Sequence, residues 1–146
     1  MRRIALVLAT LVVALAAVLV NTTPASATTR ENELFARLNH ARTTNGRPAL
    51  SRKYDLTLVA RAQAWRMARS RTLYHNPNLR TAVTNWRWVG ENVGYAPTIL
   101  AVHRAFMASP GHRANILDRD YTQVGVGVVY SGGRVWVAEV FRRPMR

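Results

Sequence analysis

The residues best placed to do chemistry stand beside breaks in the chain. His112 follows Pro110-Gly111 within the stretch Phe106-Met107-Ala108-Ser109-Pro110-Gly111-His112-Arg113-Ala114-Asn115-Ile116-Leu117. Pro110 removes a backbone donor and disfavours helical geometry at Ser109, while Gly111 can adopt positive φ without steric cost. The stretch reads as the end of one helix, a break, and the start of a short second helical turn. A histidine held there projects from an element terminus, where an imidazole can serve as base or metal ligand. Read blandly, the same residues are a helix C-cap with a surface histidine, and spacing alone leaves both readings open. His75 precedes Pro77, and Glu91 directly follows Gly90. Each therefore also sits at a break that lets separate loops converge on the end of a sheet.

Positioning such residues needs helices and a sheet. Leu34, Leu38 and Ala41, with Phe35 beside them, recur at helical spacing behind Thr28-Thr29-Arg30-Glu31, a capping-box pattern. Asn45-Gly46 stops that helix and Pro48 prevents its resumption. A second helix is expected from about Asp55 to Arg71, burying Leu58, Val59, Ala62, Trp65 and Met67. Tyr74-His75-Asn76-Pro77 is a turn signal. Thr81 to Ala96 reads as a loop with a short strand, and a third helix runs from Thr98 to about Ala108. The clearest strand signal is a hairpin, Val124 to Tyr130 and Arg134 to Phe141, joined through Ser131-Gly132-Gly133. Both strands are apolar on both faces, so helices should cover the sheet on each side. The expected fold is α+β, an α-β-α sandwich around a small antiparallel sheet. Trp65, Trp86, Trp88 and Trp136 are read as core, and His40 and His103 as ordinary surface or boundary residues.

Composition gives an address. The chain has 146 residues and no cysteine. Arg2-Arg3 form a basic head, Ile4 to Val20 are apolar apart from Thr10, and Ala25-Ser26-Ala27 is a small-residue cleavage site. Residues 1–27 are therefore expected to be a secretory signal peptide, with residues 28–146 forming one domain. The alternative is an uncleaved anchor, for which the apolar run is barely long enough. Exported without cysteine, the domain must hold together by packing alone. The formal net charge is +14, and all but one of the basic residues (Lys53) are arginines. This charge favours anionic surfaces, although the arginines are scattered rather than clustered.

Taken together, these pieces resemble the CAP superfamily of cysteine-rich secretory, antigen 5 and pathogenesis-related 1 proteins (the SCP domain). The resemblance is to its cysteine-free secreted bacterial branch. It rests on Asn39, Arg42, Gly46, Pro48 and Leu50 as N-x-x-R-x-x-x-G-x-P-x-L, on His75, and on Gly90-Glu91-Asn92. It rests further on Ser109 to Leu117, the Gly125-Val126-Gly127 strand and the Trp136 to Phe141 strand. It covers about Asn32 to Phe141 and implies an α-β-α sandwich whose cleft holds two histidines and two acidic residues. The histidines carry over to His75 and His112 and the first acid to Glu91. Aligning on the tryptophan before the second acid puts Phe106 at that tryptophan and Ser109 at the acid, a departure from the family tetrad. Glu139 is a substitute candidate: it shares strand parity with Val135, Val137 and Phe141. A buried carboxylate there must be partnered or protonated. Its partner would be a cleft histidine, or Arg142 or Arg113.

Two neutral imidazoles across a cleft can hold a divalent ion such as zinc, with Glu91 and Glu139 in support. The alternative is a polar plug in which both histidines bond to Glu91 and tie loops to the sheet. Two function classes follow. One is an extracellular binding module, expected as a monomer, that takes a lipid, sterol or cell-wall component. The other is a hydrolase, using either a metal-bound water beside Glu91 or Ser109 with His112 as base and Glu91 as orienter. Specific nucleic-acid binding is not expected, because no element interleaves aromatic and basic residues.

Overall fold

In the computed structural model, which describes residues 24–145, the chain forms an α-β-α sandwich. Residues 1–23, most of the expected signal peptide, lie outside the described residues. Helix α1 runs Pro24–Thr44, strand β1 Ser51–Arg52, helix α2 Tyr54–Ser70 and the single turn α3 Leu79–Ala82. Strand β2 follows at Trp86–Ala96, then helices α4 Ile99–Ala108 and α5 Pro110–Leu117, and strands β3 Gln123–Ser131 and β4 Arg134–Pro144. The sheet order is β1-β3-β4-β2; β1 alone is parallel to its neighbour. Among the described residues no helix is long and apolar enough to cross a membrane.

The hairpin forms as its sequence dictates. Ser131 pairs with Arg134 across Gly132-Gly133, both at positive φ (60° and 74°), as a tight two-residue turn requires. Strand alternation then divides the core. Val124, Val126, Val128, Val137 and Phe141 pack with Leu34, Leu38, Val102, Phe106 and Ile116 beneath α1, α4 and α5. On the other face Val93, Trp136, Ala138 and Val140 pack with Leu56, Ala60 and Met67 of α2.

Helix α2 buries a different face from the one its large apolar residues suggest. Trp65 is 51% exposed and Leu58 47%, while Ala62 is exposed and Val59 half-buried. The buried side is Leu56, Thr57, Ala60, Gln63, Ala64, Met67 and Ala68. The reason is close approach. Gly125 and Gly127 of β3 admit the α2 backbone so tightly that a side-chain carbon on either would collide with Leu56-Thr57 or Ala60-Arg61. At that separation small residues line the contact and the indole is left outside. Trp88 is also exposed, whereas Trp136 is buried.

Three further expectations are corrected. Residues Thr81 to Ala96 are mostly strand: β2 pairs with β4 from Trp86↔Pro144 to Ala96↔Val135. Gly111 sits in the first turn of α5 and not at positive φ; Pro110 itself starts the helix, where its missing N–H costs nothing. Helix α1 already runs through Thr28, so the capping-box pattern lies inside it. Glu31 instead is fully buried: it accepts both Nε and Nη2 of Arg61 at 2.6 Å and Nη2 of Arg52 at 2.9 Å.

The N-x-x-R-x-x-x-G-x-P-x-L motif turns out to be a fastening. Asn39 exchanges two hydrogen bonds with the backbone of Leu50, at 3.1 and 2.8 Å. Arg42, 1% exposed, donates to the carbonyls of Pro48 (2.8 Å), Ile116 (2.7 Å), Asp118 (2.8 Å) and Tyr121 (3.4 Å). One guanidinium thus joins the end of α1 to the last turn of α5, the helix that carries His112, and to the segment after it.

Candidate functional site

The site is assembled on the edge strand β2 by its Gly90-Glu91-Asn92 tripeptide. Glu91 pairs with Val140 and Asn92 with Glu139, so alternation turns Glu91 toward the α2 side and Asn92 toward the α4 and α5 side. Glu91 reaches the loop after α2. Its Oε2 lies 2.9 Å from His75 Nδ1 and accepts the Asn76 N–H at 2.9 Å. That pair holds the imidazole by one nitrogen and leaves Nε2 facing out on an exposed ring.

Asn92 is the hub of the other side. Its Nδ2 donates to Glu139 Oε2 at 3.0 Å and to the carbonyl of His112 at 3.1 Å, while its Oδ1 accepts from Asn115 Nδ2 at 2.9 Å. Asn115 also donates to the Glu91 carbonyl at 3.4 Å. The short helix α5 is therefore stitched to β2 by His112 and Asn115, three residues apart and on one helical face. Both asparagines stand in the sequence motifs; their role as the link between helix and strand needed the three-dimensional register to become visible.

Glu139 is fully buried, and neither a histidine ring nor an arginine is its partner. Arg142 points from the opposite face of β4 to Asp55 (2.6 Å) and Gln123 (2.7 Å), and Arg113 donates to Asn45 (3.2 Å). Burial pushes the Glu139 carboxyl up to about 7, against the smaller opposing effect of the Asn92 amide. The His112 ring lies against Phe106, centroids 4.8 Å apart, and makes no hydrogen bond. Burial, and next the charge of nearby His75, lowers its pKa below the ordinary value. Three buried atoms in this cluster lack a partner: Glu91 Oε1, Glu139 Oε1 and His112 Nδ1.

The Ser109, His112 and Glu91 arrangement is not assembled. Ser109 caps both α4 and α5 with extended backbone, and its hydroxyl makes no bond to His112. Glu91 is engaged by His75 instead. For a metal, the donors are two imidazoles, with Glu91 spent on orienting one of them. Among the described residues no group of three or more His, Cys, Asp or Glu is placed to hold an ion. This falls short of the three protein ligands of a catalytic zinc centre.

Comparison with known proteins agrees with this fold. The chain is 30% identical over 125 residues to the uncharacterized protein YkwD of Bacillus subtilis, covering 80% of this chain and 48% of that protein. It thus spans about half the length of that relative. Its fold is similar to an extracellular protein containing an SCP domain from Bacillus anthracis, with TM-score 0.71 and 23% identity over 83% of this chain and 44% of that one. It is also similar to an outer surface protein of Borrelia burgdorferi, with TM-score 0.73 and 15% identity over 80% of this chain and 94% of that one. A more distant likeness, TM-score 0.59 at 9% identity over 77% and 78%, is to NaASP2, whose structure was determined with Zn2+. The family model described as CAP, cysteine-rich secretory protein family, matches residues 35–140, and the chain belongs to that family.

Proposed function

We propose that the chain is an extracellular binding domain whose recognition centre is the polar cluster on β2. The observation that carries this reading is the set of unpartnered buried atoms on the two sides of β2: Glu91 Oε1 beside His75, and Glu139 Oε1 and His112 Nδ1 in the residues that Asn92 bonds. Polar atoms removed from water are normally paired, and a concentration of unpaired ones marks a place that a ligand completes. Outside the cluster one further buried atom among the described residues, His103 Nδ1 on α4, lacks a partner, while the buried Arg42 and Glu31 are well partnered. The ligand class is a lipid, sterol or cell-wall component presenting a hydroxyl or amide to these atoms. Extracellular placement is supported by the leader-like residues 1–27 and by the likeness to an extracellular protein of Bacillus anthracis and an outer surface protein of Borrelia.

Binding is favoured over hydrolysis because Ser109, the candidate nucleophile, is bonded to no base. A second reading, a divalent-ion site, has one observation in its favour: Glu91 fixes His75 through Nδ1 and presents Nε2 outward. Two imidazoles alone are one ligand short of a catalytic zinc centre.

The test uses protein recovered from culture medium, where the mature chain is expected to start at Thr28. Its melting temperature is measured with palmitate, cholesterol and solubilised wall fragments. One class should raise it in the wild type and fail to do so in His112→Ala. If no class raises it, or if His112→Ala responds equally, the reading is wrong.

A further inference from the structure

The hairpin end of the sheet carries a second concave feature, separate from the β2 cluster. A cavity of about 400 Å3 is lined by Ala68, Arg71, Ser131, Gly132, Arg134 and Trp136. A neighbouring hollow of about 350 Å3 shares Gly132 and Arg134 and is closed by Tyr95, Ala96, Pro97 and Gly133. Arg134 lies between them. At roughly 3.4 Å per residue, five residues of β4 set it about 17 Å from Glu139.

Both arginines are free to bind. Neither guanidinium has a hydrogen bond or an acidic partner among the described residues, and no acid lines either cavity. Several other arginines of the fold are spent: Arg42 on carbonyls, Arg52 and Arg61 on Glu31, and Arg142 on Asp55. Arg134 is also held in place without using its donors. Its guanidinium sits 4.9 Å over the Tyr95 ring, which in turn packs at 4.8 Å on Trp136. Stacking of this kind orients the planar fork while leaving its N–H groups for a ligand. The wall opposite is low, because Gly132 and Gly133 have open space where side chains would be.

Arg71 is held at some cost. It occupies the left-handed position that ends α2, with φ 54°, where glycine is the cheaper residue. Its backbone N–H caps the helix on the Met67 carbonyl, which any residue could do. The side chain is what glycine would not supply.

We propose that this cavity is a binding site for a phosphate ester, gripped between Arg71 and Arg134. Two guanidinium forks match the nearly double negative charge and the multiple acceptor oxygens of a phosphate better than those of a single carboxylate. The volume suits a small phosphorylated polyol or a headgroup of that size. A soluble phosphate monoester and the monoester headgroup of phosphatidic acid offer the same chemistry, and the test separates them.

Calorimetric titration with glycerol 3-phosphate at low ionic strength is one arm. Cosedimentation with phosphatidic acid against phosphatidylcholine vesicles is the other. Arg71→Gln with Arg134→Gln should weaken binding at least about tenfold, the scale of losing a charge-assisted contact. Arg87→Gln with Arg119→Gln removes the same charge from exposed positions elsewhere and should change it by less than about twofold. Arg71→Gly keeps the proposal testable if the double variant folds poorly: it should melt at or above the wild-type temperature and still lose affinity. Binding of glycerol 3-phosphate, with or without vesicle binding, assigns a free phosphate ester, and binding to phosphatidic acid vesicles alone assigns a lipid headgroup. Equal losses in the two double variants, undiminished affinity in Arg71→Gly, or no binding in either arm overturns the proposal.

Discussion

Asn92 Nδ2 donates to Glu139 Oε2 at 3.0 Å, and the other oxygen of that fully buried carboxyl has no partner. One amide cannot offset the loss of water around a carboxylate, so the group holds its proton up to about pH 7. The folded-state value lies above the ordinary 4.5. Stability from this residue is therefore fully present below about 4.5 and is lost as pH rises through about 7. Glu139→Gln, which keeps shape and neutrality, should remove that dependence and be more stable than wild type at pH 8, by on the order of 3 kcal/mol at most. His112, whose pKa is lowered by burial, acts in the opposite sense: its contribution is lost as pH falls. The informative quantity is accordingly the difference between the two proteins in urea denaturation at pH 5 and pH 8. A constant difference across that range would refute the assignment.

Arg42 should matter more to stability than any single apolar residue on α1. Its removal strands carbonyls of Ile116 and Tyr121 in the interior and frees Pro48 and Asp118. Arg42→Ala is expected to cost about 4 kcal/mol, the sum of orphaned acceptors and a new cavity. Arg42→Lys keeps the charge but not the fork and should fall between. Chemical denaturation of the three proteins measures this, and a loss below about 1 kcal/mol for alanine would refute it.

Helix α2 offers a paired comparison. Trp65 is half in solvent with Arg69 5.1 Å from its ring, whereas Met67 is fully buried. Trp65→Ala should cost less than about 1 kcal/mol and Met67→Ala about 2–5 kcal/mol. The reverse order in denaturation midpoints would mean that the helix is rotated from the position described.

That comparison also marks what the sequence can and cannot reveal. Helix and hairpin positions follow from spacing, capping and turn residues, because those signals are local. Thr98, at the expected start of α4, accepts from Ala101 N at 3.1 Å, whereas the capping-box pattern at Thr28 to Glu31 lies inside α1. The buried face of α2 is not legible from hydrophobic size. On a helix pressed against Gly125 and Gly127, alanines go inside, and Thr57 and Gln63 can join them by donating to Lys53 and Tyr74 carbonyls. Strand β2 is hidden for a related reason. Its glycines and polar residues weaken the alternation, and the ladder to β4 determines its conformation. In the site, Glu91 and His75 are legible as motif residues. The Asn92 hub is not, since its partners lie 20, 23 and 47 residues away.

The Arg42 clamp joins segments 74 to 79 residues apart in a chain without a single cysteine. A covalent cross-link at that place would restrict the denatured chain as well as the native one. A guanidinium on backbone carbonyls acts on the native state alone, and nothing of it survives once the carbonyls are rehydrated. The two ends of the molecule are then unconnected and must find each other anew, with the full entropy of closing that loop opposing them. Recovery from denaturant accordingly needs dilution and time, and no oxidant or thiol exchange.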